Sequence, residues 1–367
     1  MSTASQSTGS LASGSTKSPH WPALDGVRGI AVIAVVLFHL PLPWSREGYA
    51  GVDVFFALSG FLITSLLLRE RSVSASIDLR AFYARRALRL VPALVVLVAG
   101  VVGIALVSGH LASVLPGAIA TLLYLSNWWN FSSGHDMPLL EHTWTLSIEE
   151  HFYLVWPIIL IGLASARRWA RWLALTGILV ICAVMVTEWP EYWDGVRQSY
   201  LRSVPIVFGC AVAVLARQPA VAHRLRTAAS LLALPVLGIL VALLLTSSVP
   251  EGLPMSGPAS VPGLLTALLV LLLVSAPSTP ASRLLSLAAL TWAGRRAYGI
   301  YLFHFPMISL AMHQVDFGLP VLTRTVIGAI VGVGIAALSY RWIEMPFLRL
   351  KKRWVRVPAI TSPDRVP

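Results

Sequence analysis

The chain has 367 residues, of which 56% are hydrophobic and only 12% are charged. Soluble proteins carry about 25% charged residues, so the composition excludes a soluble domain with one anchor and predicts a polytopic membrane protein. A formal net charge of +12 would suggest nucleic acid as the partner of a soluble protein. Here the basic residues collect in particular loops, and we expect no nucleic-acid partner.

Apolar segments of spanning length predict an all-α transmembrane bundle of about ten helices. In chain order the predicted spans are 24–42, 51–69, 90–108, 149–165, 170–187, 201–216, 229–247, 260–276, 297–315 and 320–341. Another apolar run, 112–129, is interrupted by Pro116 and ends in Asn127, Trp128, Trp129 and Asn130. Because Trp favours the headgroup level, we expect that run to be interfacial or re-entrant.

The two ends of the chain differ from this apolar body. Residues 1–20 are rich in Ser, Thr and Gly, which predicts a disordered tail and not a signal peptide. Residues 348–367 predict a basic tail, which leaves 21–347 as one membrane domain. With ten spans, 24 of the 28 Lys and Arg residues fall on the side of the two termini. The positive-inside rule then places both termini in the cytoplasm, as expected for a multi-pass protein of a bacterial cytoplasmic membrane.

The first predicted helix carries two ionisable residues, Arg28 and His39. A rise of about 1.5 Å per residue separates them by about 16 Å, which places Arg28 near the cytoplasmic face and His39 well inside the helix, in the outer half of the membrane. An ionisable side chain at that depth is costly and indicates a functional site. The structural alternative is a hydrogen bond from His39 to a neighbouring helix.

Polar residues also enter the second and third spans. Asp53 begins the second span near His39, where its carboxylate could orient the imidazole, or could instead cap the helix. Ser59 and Gly60 favour close helix packing. Arg86 and Arg89 lie three residues apart at the mouth of the third span, so both could hold one phosphate group, although topology alone would place some arginines there.

A dense polar segment, residues 141–157, enters the fourth span at the outer face. Its candidate functional residues are His142, Trp144, Ser147, Glu149, Glu150 and Tyr153. Glutamates near the start of a helix are stabilised by the helix dipole. This explains one of the two glutamates, but not a pair that stands beside histidines and tryptophans.

The ninth span adds Tyr298, Tyr301 and His304. The tenth span ends in Arg341 and Glu344, for which an intrahelical ion pair is the simpler interpretation. The cysteines, Cys182 and Cys210, form no motif, and we expect no metal site.

These segments, taken in order, resemble acyltransferase family 3, a family of bacterial membrane O-acyltransferases. The resemblance rests on Arg28 and His39 and on G-V-D-V-F-F-A-L-S-G-F-L-I, A-R-R-A-L-R-L-V-P, H-T-W-T-L-S-I-E-E-H-F-Y and Y-G-I-Y-L-F-H. It runs from about Pro22 to Pro346, and the family's ten-span plan agrees with the count above. Two positions depart from the common pattern: Thr145 stands where Ser is common, and His151 where Gln is common.

The resemblance implies transfer of an acyl group, usually acetyl, from cytoplasmic acyl-CoA to a hydroxyl of a sugar-containing acceptor, with acyl-CoA as cosubstrate and no bound cofactor. It implies that His39 is the essential histidine, acting as a base or as a transient acyl carrier. It also implies that Arg28 is its paired arginine and that Arg86 and Arg89 meet the CoA phosphates. The predicted catalytic set also includes Asp53, Glu149 and Glu150. The other residues predicted to bind substrate are His142, Trp144, Ser147, Tyr153, Tyr298 and His304.

Two other hypotheses compete with the enzyme. A proton-coupled transporter would use the membrane His and carboxylates as a proton relay, but the chain shows no internal symmetry of the kind found in many transporters and the arginine cluster would have no use. A sensor or scaffold would leave the buried polar residues unexplained. The expected partners are the lipid bilayer, acyl-CoA and the acceptor, with a homodimer as an open assembly state.

Overall fold

The computed structural model describes residues 21–132, 137–165, 191–246, 255–256, 260–314 and 318–351, and within these ranges the fold is helical with no β-strand. The α-helices are α1 (Pro22–Phe38), α2 (Gly51–Ser74), α3 (Leu79–Val107), α4 (Leu111–Leu122), α5 (Ser126–Ser132), α6 (Trp144–Ser165), α7 (Glu191–Leu201), α8 (Pro205–Leu215), α9 (Pro219–Leu244), α10 (Val261–Ser275), α11 (Pro280–Leu285), α12 (Ala288–Arg295), α13 (Ala297–His313), α14 (Val321–Ser339) and α15 (Met345–Lys351). Two 3₁₀ turns, Arg46–Ala50 and Glu141–Thr143, precede α2 and α6. A π-helical turn, Tyr340–Glu344, follows α14.

In the described part of the chain, six helical stretches are long and apolar enough to cross a membrane: Arg46–Ser74, Leu79–Val107, Glu141–Leu163, Gly195–Leu215, His223–Leu244 and Val321–Leu350. Each overlaps a predicted span, and exposed apolar side chains such as Val107 and Leu231 suit a lipid environment. The predicted span 170–187 lies outside the described residues. The chain is therefore a multi-pass membrane protein, while the total of ten spans and the cytoplasmic termini stay predictions.

Three predicted spans form helices shorter than expected: α1 has 17 residues, α10 has 15 and α13 has 17. The prediction that α1 continues to residue 42 is wrong, because the helix ends at Phe38 and His39 is its C-cap. Pro41 accounts for the early end, since a proline disfavours helical geometry at the residue before it. His39 therefore stands at a helix end instead of well inside a helix.

The run 112–129 is broken, as expected, but not at Pro116. Helix α4 passes through Pro116, and the break comes at Tyr124, whose φ of +55° is left-handed. The two pieces, α4 of 12 residues and α5 of 7 residues, are each shorter than the roughly 20 residues that a spanning helix needs. Their lengths agree with an interfacial or re-entrant segment.

Helices α1, α2 and α8 form a central layer between two buried apolar clusters. One face of α1 presents Ala31 and Ala34 to a cluster shared with α9 and α10. The opposite face presents Val32 and Val35 to a cluster shared with α3, α4 and α13. The functional residues predicted on α1 and α2 thus lie in the middle of the bundle.

Helices α2 and α8 approach each other through a pair of glycines. A methyl group at Gly60 would overlap the backbone carbonyl of Ile206, and one at Gly209 would overlap the carbonyl of Ala57. Membrane helices use small residues in this way because dispersion contacts between close backbones hold them together. The packing interpretation of Gly60 is confirmed.

We predict that Gly209→Ala destabilises the protein, because an extra methyl group in a packed interior costs about 1–3 kcal/mol. Thermal unfolding of the detergent-solubilised protein should show a lower Tm. Gly238→Ala is the matched control, since no atom lies within 4 Å of the added methyl position in that helical site. Equal Tm values for the two variants would contradict the close contact of α2 with α8.

Candidate active site

A cavity with about 680 Å³ of empty space, its open mouth included, lies between the central layer and helices α3, α6, α12 and α13. Its walls combine apolar residues, such as Phe55 and Leu146, with an unusual number of ionisable side chains. The predicted site residues that line it are Arg28, Arg86, Arg89, Glu149, Tyr153 and Tyr298. The structure thus brings these six residues together from four separate segments of the sequence.

Four arginines give the cavity a strongly cationic wall: Arg28, Arg86, Arg89 and Arg295. Arg86 and Arg89 are one helical turn apart on α3 and both line the cavity, as their spacing predicts. The Arg86 guanidinium lies 3.9 Å from the centre of the Tyr153 ring, an arrangement that holds the cation in a fixed orientation. Arg28 joins them from α1, with Nη1 4.0 Å from Asp25 Oδ1.

The neighbouring Arg85 does not share this role. Its Nη2 donates to Glu70 Oε2 at 3.1 Å, which forms a salt bridge between α3 and the last turns of α2. Because its side chain is engaged there, Arg85 fastens two helices together, whereas Arg86 and Arg89 face the cavity.

Glu149 is the carboxylate in the described wall of this cavity, and two hydroxyl groups hold it. Ser59 Oγ donates to Glu149 Oε1 at 2.6 Å, and Tyr153 Oη lies 3.2 Å from Glu149 Oε2 and 3.0 Å from Ser59 Oγ. Sequence reasoning missed Ser59, since a small residue in an apolar helix was interpreted as packing. Only its position opposite Glu149 shows that the hydroxyl is used.

A second group of polar residues, which we call the histidine trio, consists of His39, His142 and His304. The ring centres of His39 and His304 are 5.0 Å apart, and those of His142 and His304 are 5.7 Å apart. Phe305 packs against His39 and His142 with ring centres 5.1 and 4.9 Å away. His142 and His304 are buried, whereas His39 is half-buried.

Each imidazole of the trio donates one ring hydrogen to a backbone carbonyl. His39 Nδ1 is 2.8 Å from the Val35 oxygen, and His304 Nδ1 is 2.7 Å from the Tyr301 oxygen. His142 uses the other nitrogen, Nε2, which is 3.1 Å from the Leu302 oxygen. A carbonyl only accepts, so these contacts define the tautomers of the neutral rings. His39 Nε2, His142 Nδ1 and His304 Nε2 are then left with lone pairs.

The position of His39 follows from the end of α1. The last carbonyls of a helix have no backbone partner, and the His39 ring satisfies the carbonyl of Val35, four residues earlier. Basic side chains commonly bond helix-end carbonyls in this way. The early end of the helix therefore orients the imidazole.

Tyr301 lies between the cavity and the histidine trio. Its ring lines the cavity and also packs against His142 and His304, both with ring centres 5.5 Å away. The hydroxyl donates to the His142 carbonyl at 2.8 Å and is 2.7 Å from Thr145 Oγ1. The sequence singles out Tyr301 in the ninth span but assigns it no role, and Thr145 is outside the predicted site set.

Asp53, expected beside His39, does not orient it in the described structure. Asp53 is fully buried, and its Oδ2 accepts a hydrogen bond from Ser260 Oγ at 2.7 Å. The His39 Nδ1 that a carboxylate would engage is already bonded to Val35. Asp53 is also the third residue of α2 and not its N-cap, so the capping alternative is wrong as well.

Three further predicted residues lie away from the cavity wall. Ser147 is buried and bonds Ser126 Oγ at 2.7 Å, which ties α6 to the start of α5. Trp144 packs against Phe131 and lies under the Arg202 guanidinium, 5.3 Å away. Glu150 is half-buried and is absent from the described lining. Their side chains leave α6 on the sides opposite to Thr145 and Glu149.

The predicted intrahelical pair of Arg341 and Glu344 is absent from the described structure. The π-helical turn Tyr340–Glu344 leaves Arg341 exposed while Glu344 is 4% exposed. Glu344 instead lies close enough to Arg89 and Arg296 for electrostatic interaction.

Within the described residues, no group of three or more His, Cys, Asp or Glu side chains is placed to hold a metal ion. The histidine trio is therefore not such a group.

We predict different neutral tautomers within the histidine trio. His39 and His304 should carry the ring hydrogen on Nδ1, and His142 should carry it on Nε2, because of their carbonyl partners. Nitrogen NMR of protein labelled at histidine would report this pattern. Signals would be assigned by comparison with His39→Gln, His142→Gln and His304→Gln variants, and a shared tautomer for all three would contradict the geometry.

Comparison with known proteins gives related sequences but no solved structure that matches. A family profile described as an acyltransferase domain matches residues 21–341. OatA of Listeria monocytogenes, a peptidoglycan O-acetyltransferase, is 33% identical over 348 residues, which are 89% of this chain and 55% of OatA. YrhL of Bacillus subtilis, whose name also refers to peptidoglycan O-acetylation, is 35% identical over 89% of this chain and 54% of its own length.

The chain therefore spans about half the length of these relatives. A third relative, SAS0844 of Staphylococcus aureus, is 32% identical over 90% of this chain and 58% of its own length. The profile covers nearly all the described residues, including every residue of the cavity wall and of the histidine trio. The chain belongs to the membrane acyltransferases of acyltransferase family 3.

Proposed function

We propose that this protein is an O-acetyltransferase that moves an acetyl group from cytoplasmic acyl-CoA to a hydroxyl of a sugar-containing acceptor. The observation that carries the proposal is the junction of two chemically different sites. The cavity has four arginines on its wall, and Tyr301 joins it to the histidine trio. An anionic donor and a hydroxyl that must lose a proton need these two environments side by side.

The arginine wall suits the phosphates of CoA. Guanidinium groups bind phosphate through two parallel hydrogen bonds, and Arg86 is already held against Tyr153. Glu149 is the carboxylate on the described wall beside Arg28, Arg86 and Arg89, so the cavity keeps an excess of positive charge. Phe55, Phe56 and Leu90 line the same space and offer apolar contacts to the pantetheine arm.

His39 is the proposed base. With its Nδ1 hydrogen directed at Val35, its Nε2 lone pair is available to accept the proton of an acceptor hydroxyl. The hydroxyl oxygen attacks the thioester carbonyl, the carbon–sulfur bond breaks, and the CoA thiolate leaves with its electron pair. The proton held on His39 then passes to that thiolate. The same Nε2 would be the attacking atom if His39 carries the acetyl group transiently.

The relatives suggest the class of acceptor and the location. OatA is a peptidoglycan O-acetyltransferase by name, and a cell-envelope polysaccharide is accordingly the first acceptor to test, ahead of a glycolipid or a secondary metabolite. The predicted cytoplasmic side holds 24 of the 28 Lys and Arg residues. A bacterial cytoplasmic membrane with the arginine cluster facing the cytoplasm would give the cavity access to acyl-CoA.

We predict that His39→Gln lowers acetyl transfer by at least about 100-fold, since general-base catalysis contributes about 10²–10⁴-fold. Mass spectrometry would compare acetyl esters in polysaccharide, lipid and secreted metabolites from a deletion strain, a complemented strain and the His39→Gln strain. His110→Gln, at an exposed position, is the control and should keep full activity. Persistence of every ester in the deletion and His39→Gln strains would refute the proposed reaction.

We predict that Arg89→Gln weakens acetyl-CoA binding by about 10- to 100-fold, because hydrogen bonds to charged groups contribute about 1.5–3 kcal/mol. Calorimetry on protein in lipid nanodiscs would measure the dissociation constant. Arg80→Gln removes an exposed arginine of the same helix and should bind like the unchanged protein. Equal binding by Arg80→Gln and Arg89→Gln would show that the arginine wall does not hold the donor.

A further inference from the structure

A second groove lies beside the cavity, between α12 and the end of α14. It encloses about 1040 Å³ when its open mouth is included. Its wall holds three arginines, two aromatic residues and three apolar residues: Arg295, Arg296, Arg341, Trp292, Tyr340, Ala337, Leu338 and Met345. The predicted catalytic and binding set includes none of them.

Arg296 is held in the groove as a fixed cation. Its guanidinium carbon is 4.5 Å from the centre of the Trp292 ring and 4.6 Å from that of Tyr340. One terminal nitrogen donates to the Trp292 carbonyl at 3.2 Å, while the buried Nε has no hydrogen-bond partner. A guanidinium oriented in this way loses little side-chain freedom when it binds an anion.

The π-helical turn Tyr340–Glu344 shapes the opposite wall. Such wide turns occur often at functional sites. Here Tyr340 and Arg341 line the groove, whereas Glu344 is buried near Arg89 and Arg296. The turn thus keeps the local carboxylate in the interior and leaves the groove wall cationic.

The groove and the cavity adjoin each other, because Arg295 lines both of them. A ligand that fills both would have phosphate groups at one end and a reactive group near the histidine trio at the other. Acyl-CoA has this arrangement: a 3′-phosphorylated adenosine, a diphosphate, the pantetheine arm and the thioester. A phospholipid headgroup would share the phosphate chemistry but would occupy the groove alone.

We propose that the groove binds the 3′-phosphorylated adenosine of acyl-CoA, with Arg296 and Arg341 directed at the 3′-phosphate. Arg28, Arg86 and Arg89 are then left for the diphosphate and the chain beyond it. This inference rests on acyl-CoA as the donor, and it assigns the residues that distinguish CoA from its analogue without the 3′-phosphate.

The test compares CoA with 3′-dephospho-CoA, using full-length protein in phosphatidylcholine nanodiscs. The unchanged protein should bind CoA at least about 10-fold more tightly, as expected for charge-assisted hydrogen bonds to one phosphate. Arg296→Gln and, independently, Arg341→Gln should reduce this preference towards one and leave the affinity for dephospho-CoA nearly unchanged. Arg341 is exposed, so its variant keeps the test valid if Arg296→Gln does not fold.

Arg283→Gln, an exposed arginine of α11, is the matched control and should keep the full preference. If the unchanged protein binds neither ligand, acyl-CoA is not the donor and the proposed function itself fails. If it binds both ligands equally, or if Arg296→Gln and Arg341→Gln keep the preference for CoA, this inference alone is overturned. A second series adds phosphatidylglycerol: variants that lose stabilisation by that lipid but keep the CoA preference would identify a lipid site instead.

Discussion

A carboxylate within an apolar bundle constrains the rest of this structure. Glu149 must be hydrogen-bonded to be tolerated there, and Ser59 and Tyr153 supply the bonds from α2 and α6. Arg86, stacked on Tyr153, adds α3 to the same arrangement. These contacts set which faces of three helices turn towards each other, and the arginine-lined cavity is the space that remains.

In the proposed reaction, the cavity and the histidine trio divide two chemical tasks between them. Cationic residues suit an anionic donor, and neutral imidazoles with lone pairs suit removal of a proton from a hydroxyl. Tyr301 contacts both. Membership of an acyltransferase family favours this interpretation over a proton-relay transporter, which would give the arginines no role.

The sequence predicted correctly which residues share a helix face, because that depends only on their spacing. It did not predict which residue of another helix each side chain contacts, because that depends on how the helices are rotated against each other. Arg86 and Arg89 share a face because they are one turn apart, and this holds in any helical environment. Asp53 and Ser147 were expected in the site, yet the helices turn them towards Ser260 and Ser126. Ser59 shows the converse error, since its hydroxyl bonds Glu149 only because the packing of α2 against α6 places the two side chains opposite each other.

The sequence by itself determined the all-helical membrane class, the six spans that the described residues match, and the set of ionisable residues from which the site is built. These follow from hydrophobic length and from the cost of placing charge in lipid, which are local properties. Only the tertiary structure decided which of those residues meet, because contacts between distant segments depend on helix ends and helix rotation. His39 is the clearest case: its type was evident from the sequence, but the end of α1 at Phe38 sets the direction of its ring.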